Sequence, residues 1–216
     1  MPPEGMHTIQ PIERWRAFRD AFRRQVYDAT DATLAEGWSA HGGRTTLYAR
    51  THFPALAPET GLVFCRELLV VDYALCQRVS DGASNEELVP VVFAESESDA
   101  ALAHQEVGKL CALAAPVRVL LTVAQWSHTP GVWPAGGHAT QYLGRWRAVC
   151  ATHAAVLGGL QGVVACLVGE WGPDHVLRFY AHRLGGVPWP DADVDRDGAV
   201  IVERPMGGTP GALSLT

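Results

Sequence analysis

Leu68-Leu-Val-Val-Asp72-Tyr-Ala-Leu-Cys76 is the stretch on which the reading of this chain turns. Aliphatic and β-branched residues fill it, so it reads as a buried strand, yet a carboxylate stands in its middle. An ionised group in an apolar strand is costly unless a cation or a set of donors meets it. The next β-rich run, Val89–Glu95, ends in Glu95-Ser96-Glu97, and a spacing of two puts both glutamates on one face of a strand. If the two strands are neighbours, Asp72 and Glu95 converge at one sheet edge. Repulsion would then raise at least one pKa unless a divalent cation neutralises the pair, and an all-oxygen set favours magnesium or manganese over zinc.

The basic residues add a second signal. Of 17 Lys and Arg, only Lys109 is a lysine. Where arginine serves nearly every generic positive charge, a lone compact ammonium is a candidate for work that a guanidinium cannot do. Ser96 or Ser98 caps a helix that runs to about Ala115 and is stopped by Pro116. Lys109 lies about 15 Å along that helix at about 1.5 Å per residue, on the face of Leu102, Glu106 and Leu113. Its side chain leans toward the helix N-terminus, back to the level of Glu95.

Further strands and helices frame these residues. Residues 12–36 read as a helix with Trp15, Phe18, Phe22 and Val26 in an apolar stripe. Its outer face carries Arg14, Arg16, Arg19, Arg23 and Arg24, the largest basic patch in the chain. Residues 45–52 and 62–65 are expected as short strands, 80–87 as a polar turn, and 117–123 as a buried strand. A Trp/Pro/Gly loop at 126–137 leads to a helix near 140–157 and strands near 163–168 and 176–182, before a Pro/Gly-rich acidic tail at 185–216. Trp126, His128 and Trp133 in the loop either stack on bases or, more ordinarily, pack the loop onto the core.

The order helix, strand, strand with Asp72, strand with Glu95-Ser96-Glu97, helix with Lys109, strand resembles the PD-(D/E)xK nuclease superfamily, the restriction-endonuclease-like fold. The resemblance covers roughly residues 12–123 and departs from the pattern twice: Val71 stands where the family has proline, and Glu97 where it usually has lysine. Some members are similar in having Glu at that place, and others carry the lysine on the next helix, where Lys109 stands. The resemblance implies an α/β fold: a mixed central sheet flanked by helices, with an αβββαβ core and C-terminal αββ additions. It implies Asp72 and Glu95 as ligands of Mg2+ or Mn2+, Glu97 as a further ligand or base, and Lys109 as the group that positions water.

Composition bounds the alternatives. At 216 residues, 48% hydrophobic and 19% charged, the chain is expected as one globular domain, with a core at about 12–123, peripheral additions at 124–184 and the tail at 185–216. No apolar run reaches the ~20 residues of a membrane span, and no membrane partner is expected. A net charge of −6 argues against holding nucleic acid by bulk electrostatics, though not against one local basic face. The phosphate grip is therefore expected from Arg14, Arg19, Arg23 and Arg118. Cys65, Cys76, Cys111, Cys150 and Cys166 are odd in number and lie in apolar stretches, which fits a reducing cytoplasm. Asp193, Asp195 and Asp197 begin like a calcium loop, but Arg204 falls where its bidentate Glu belongs, leaving at most a weak Ca2+ site.

These residues favour a divalent-metal-dependent endonuclease, acting on DNA before RNA, with a homodimer expected by analogy. A plainer account remains open: Asp72 met by backbone donors or Arg118, Glu95 and Glu97 beside a helix N-terminus, and Lys109 paired with Glu106. On that account the chain is a non-catalytic scaffold or an accessory subunit that binds a protein partner.

Overall fold

The computed structural model describes residues 10–39, 42–80, 86–129, 132–189 and 196–207. Its strands are β1 (Val63–Leu68), β2 (Val71–Ser80), β3 (Glu86–Glu97), β4 (Val117–Val123), β5 (Val163–Trp171), β6 (Val176–Gly186) and β7 (Ala199–Pro205). They form one mixed sheet in sequence order, antiparallel from β1 to β3, parallel from β3 to β5, and antiparallel again to β7. The helices are α1 (Pro11–Asp28), α2 (Asp31–Ser39), α3 (Gly43–Leu47), α4 (Phe53–Thr60), α5 (His104–Ala112) and α6 (Ala139–Leu157), with a π-helical turn at Tyr48–His52 joining α3 to α4. The α/β class and the flanked mixed sheet expected from the sequence are therefore present.

Alternation along the strands builds two cores. Tyr73, Leu75, Ala94, Val119 and Leu167 face α1, α2 and α4. Ala74, Cys76, Phe93, Leu120 and Cys166 face α5 and α6 on the other side. β4 and β5 are buried along their whole length, as parallel strands covered on both faces must be. Residues 124–184, expected at the periphery, thus supply the interior strand β5, and β7 brings part of the expected tail into the sheet. Pro90 is tolerated in β3 because pairing with β4 starts only at Val92. Among the described residues no helix is long and apolar enough to cross a membrane.

The helix expected from Ser96 or Ser98 to about Ala115 spans only His104–Ala112, because β3 runs on to Glu97 and a turn follows it. Three more expectations fail for identifiable reasons. The helix over 12–36 is two helices, because the chain extends at Ala29 and the Thr30 hydroxyl accepts the Thr33 N–H to cap a new start. Residues 45–52 are helical: Arg44, Leu47, Tyr48 and His52 are buried at a three-to-four spacing, and that packing overrides the β-branched pair Thr45-Thr46. Most consequentially, the run Leu68–Val71 is no continuous strand. Leu68 pairs with Val71, so Leu69 and Val70 form the two-residue loop of a hairpin, with φ of +52° and +62°. Both residues sit in the left-handed region, where a β-branched side chain is rare and each such residue costs on the order of 1–3 kcal/mol.

The first core is knit by aromatic contacts. Phe179 of β6 meets Phe22 of α1 at 5.1 Å and Trp38 of α2 at 5.7 Å, both edge-on, and is almost fully buried. Phe179→Ala should therefore destabilise the protein by about 3–5 kcal/mol. Urea unfolding would read this as a lower midpoint at unchanged slope.

A carboxylate pair and a lysine at the sheet edge

The ladder between β2 and β3 ends at Tyr73 and Ala94, and the next step along it sets Asp72 across from Glu95. There the strands part. Asp72 Oδ2 accepts the Ser96 N–H at 2.9 Å, which ties the end of β2 to β3 in place of a ladder bond. Side-chain alternation turns Asp72 and Glu95 to the face of Ala74 and Phe93, the side covered by α5 and α6.

α5 is the crossover that makes β3 and β4 parallel. Val107, Leu110 and Cys111 anchor it to the sheet, which leaves Glu106 and Lys109 beside the carboxylates. The Lys109 ammonium lies 2.9 Å from Glu95 Oε1 and 2.6 Å from Glu106 Oε2, and it reaches the Val70 carbonyl at 3.5 Å. The lone lysine and two of the expected carboxylates are thus in one place. The plainer pairing of Lys109 with Glu106 is present as well.

Electrostatics follow from burial. Glu95 is only 1% exposed. Burial pushes its carboxyl up to about 7; the Lys109 ammonium pulls it down, while Asp72 and Glu106 add to the rise. Burial works against the Lys109 charge, but Glu106 and Glu95 outweigh it and raise its pKa. Below neutral pH, therefore, Glu95 holds a proton.

Glu97 stands apart from this group. Its Oε1 accepts the Asp99 N–H at 2.8 Å and shapes the turn into α5. It pairs in register with Thr122 of β4, whose buried hydroxyl has no hydrogen-bond partner. Thr122 escaped the sequence reading because it looks like any β-former in an apolar strand. Arg44 of α3 was also missed. It is buried with Nη1 unpartnered; burial lowers its pKa, and Tyr48 and Glu97 oppose that.

The expected phosphate grip is not beside the cluster. α1 packs on the opposite face of the sheet from α5. Arg19 is buried with its guanidinium 2.8 Å from Asp20, Arg23 lies over the Tyr27 ring, and Arg14 is half-buried on the same helix. Arg118 is buried under α5, where it donates to the Leu113 carbonyl at 3.1 Å and to the Gln161 carbonyl. Its guanidinium serves the ends of loops. A helix's basic face does not reveal which side of the sheet the helix covers.

The acidic tail is partly outside view: Asp193 and Asp195 lie outside the described residues. Asp197 is held by Arg147 at 2.6 Å, by His182 at 3.2 Å and by the Arg183 N–H at 3.1 Å. Those partners fill its oxygens and argue against a calcium role for it.

A second carboxylate, which no motif in the sequence marks, is equally buried. Glu170 ends β5, and its Oε1 accepts the backbone N–H groups of Trp126 and Ser127 at 2.6 and 2.7 Å and the Trp133 indole N–H. Its Oε2 accepts the Tyr180 hydroxyl at 2.8 Å. Trp126, stacked on Trp146 at 5.8 Å, is buried in the core. The aromatic loop is therefore packed on the fold by Glu170, as the ordinary reading of that loop holds.

Among the described residues no group of three or more His, Cys, Asp and Glu is arranged to hold a metal ion. The donor set of Asp72 and Glu95 still suits one hard cation, since magnesium keeps several waters and takes only one or two carboxylates.

The raised Glu95 pKa has a measurable consequence in chelator-treated protein. A group raised on folding contributes its full stability below its unfolded value of 4.5 and loses it as pH climbs to about 7. The denaturation midpoint should fall across that window, and Glu95→Gln should remove this part of the fall.

Compared with family models, with curated proteins and with solved structures, the chain matches none.

Proposed function

We propose that this protein is a divalent-metal-dependent phosphodiesterase of nuclease type, acting on nucleic acid and on DNA in preference to RNA. The observation that carries the reading is the 2.9 Å contact between Lys109 Nζ and Glu95 Oε1, one ladder step beyond the end of β2–β3 pairing and across from Asp72. A buried carboxylate whose near cation is a single ammonium, itself one-third exposed, is a poor structural device and a good chemical one. The αβββαβ order, with an antiparallel meander followed by a parallel crossover, agrees with the restriction-endonuclease-like resemblance.

Asp72 and Glu95 would hold magnesium or manganese through carboxylate oxygens, and a bound divalent ion supplies an acidified water and charge neutralisation at the scissile phosphate. Lys109 orients the attacking water or donates to a phosphate oxygen as negative charge develops there. Glu106 keeps Lys109 charged and aimed at Glu95. Glu97 shapes the turn into α5, from which it would serve as a further ligand or base.

Two observations favour a second reading, a non-catalytic scaffold for a protein partner. The arginines of α1 lie on the far face, and Lys109 already bridges Glu95 and Glu106. Cleavage separates the two readings. Asp72→Asn, Glu95→Gln and Lys109→Ala should each lower magnesium-dependent cleavage of labelled duplex DNA by about 100-fold or more, with circular dichroism unchanged. Full activity in Lys109→Ala would overturn the assigned mechanism, and no cleavage by the unmodified protein would favour the scaffold.

A further inference from the structure

The hairpin tip between β1 and β2 serves the fold poorly. A two-residue loop with positive φ at both positions is a type I′ turn, for which Asn-Gly is the favoured pair. Leu69 and Val70 occupy it instead, at φ of +52° and +62°. Their side chains gain nothing from the core in exchange: Leu69 is 60% exposed and Val70 80% exposed. Strain and apolar exposure at the same two residues point to a use outside the folded chain.

The position of the tip says what that use is. The Val70 carbonyl lies 3.5 Å from Lys109 Nζ, and Asp72 follows two residues later on the strand. The tip therefore borders the carboxylate–lysine cluster. The flanking charges offer little for phosphates, because Arg66 sits 3.5 Å from Glu67 and the net charge is −6. A substrate held here without a basic surface must be gripped through its apolar parts, and in nucleic acid those are the base faces. Side chains such as Leu and Val wedge between base steps and unstack them.

We infer that Leu69 and Val70 form a wedge that enters a base step of duplex nucleic acid and so seats the adjoining phosphate at the Asp72–Glu95–Lys109 cluster. The inference rests on the nuclease reading and adds to it the mode of grip. Binding by a wedge depends only weakly on salt, since few phosphate counterions are released, and it is easiest at flexible pyrimidine–purine steps.

The test replaces the tip by the pair that its backbone favours. The full chain carrying L69N/V70G should fold and melt about 4 °C higher or more, because the strain is relieved. Binding is read by the fluorescence of 2-aminopurine placed at a TA step in a short duplex, with calcium replacing magnesium to slow turnover. The unmodified protein should raise the fluorescence severalfold. L69N/V70G should abolish that rise and bind about tenfold more weakly, a loss of about 1.4 kcal/mol. Val79→Ser, at the exposed far end of β2, should change neither.

Equal affinity and equal fluorescence in L69N/V70G would overturn the wedge and leave the nuclease reading standing. No duplex binding by the unmodified protein would overturn both. Light scattering that shows a dimer lost in L69N/V70G, with duplex binding intact, would make the tip a contact between two copies of this chain and likewise overturn the wedge.

Discussion

Two carboxylates face each other where β2 and β3 part, and one of them is shut away from water. This constraint organises the rest of the molecule. A charge on Glu95 is tolerable only beside a cation, and the chain supplies one through α5, the crossover that also makes β3 and β4 parallel. The same helix must bury Val107, Leu110 and Cys111 to hold its place. Packing and electrostatics are therefore linked: the apolar stripe of α5 sets where its polar flank points.

Glu170 provides an internal comparison. It is as deeply buried as Glu95 and sits on the same face, at the end of β5. Four donors surround it, from Trp126, Ser127, Trp133 and Tyr180, so its charge is met by dipoles fixed in the fold. Nothing is left for a ligand to do there. Glu95 has no such shell; its near partner is an ammonium that Glu106 shares and that is one-third exposed. The two glutamates of one sheet thus differ in their partners and not in their burial: fixed dipoles surround Glu170, and a shared ammonium meets Glu95.

Much of this was legible in the chain. Asp72 inside an apolar strand, the paired spacing of Glu95 and Glu97, and a lone lysine on the following helix pointed to the edge where Asp72, Glu95 and Lys109 meet. Hydrophobic periodicity also located β4, α6 and the interior strands. What escaped it depends on tertiary choice. Leu69 and Val70 read as strand because their chemistry is that of strand, and only the β1–β2 register turns them out. Thr45 and Thr46 have β-propensity, yet the burial of Leu47, Tyr48 and Phe53 against the first core keeps that segment helical. The arginines of α1 were visible, but the side of the sheet that they cover was not. Glu170 had a faint signal, an acid ending an apolar run opposite a loop rich in tryptophan.

The claim at the centre of this account is that Asp72, Glu95 and Lys109 surround a place for one divalent ion. Isothermal titration of the metal-free protein with manganese tests it without reference to any substrate. A single bound ion is expected, with binding lost in Asp72→Asn. The absence of binding to the unmodified protein, or binding that Asp72→Asn leaves intact, would contradict it.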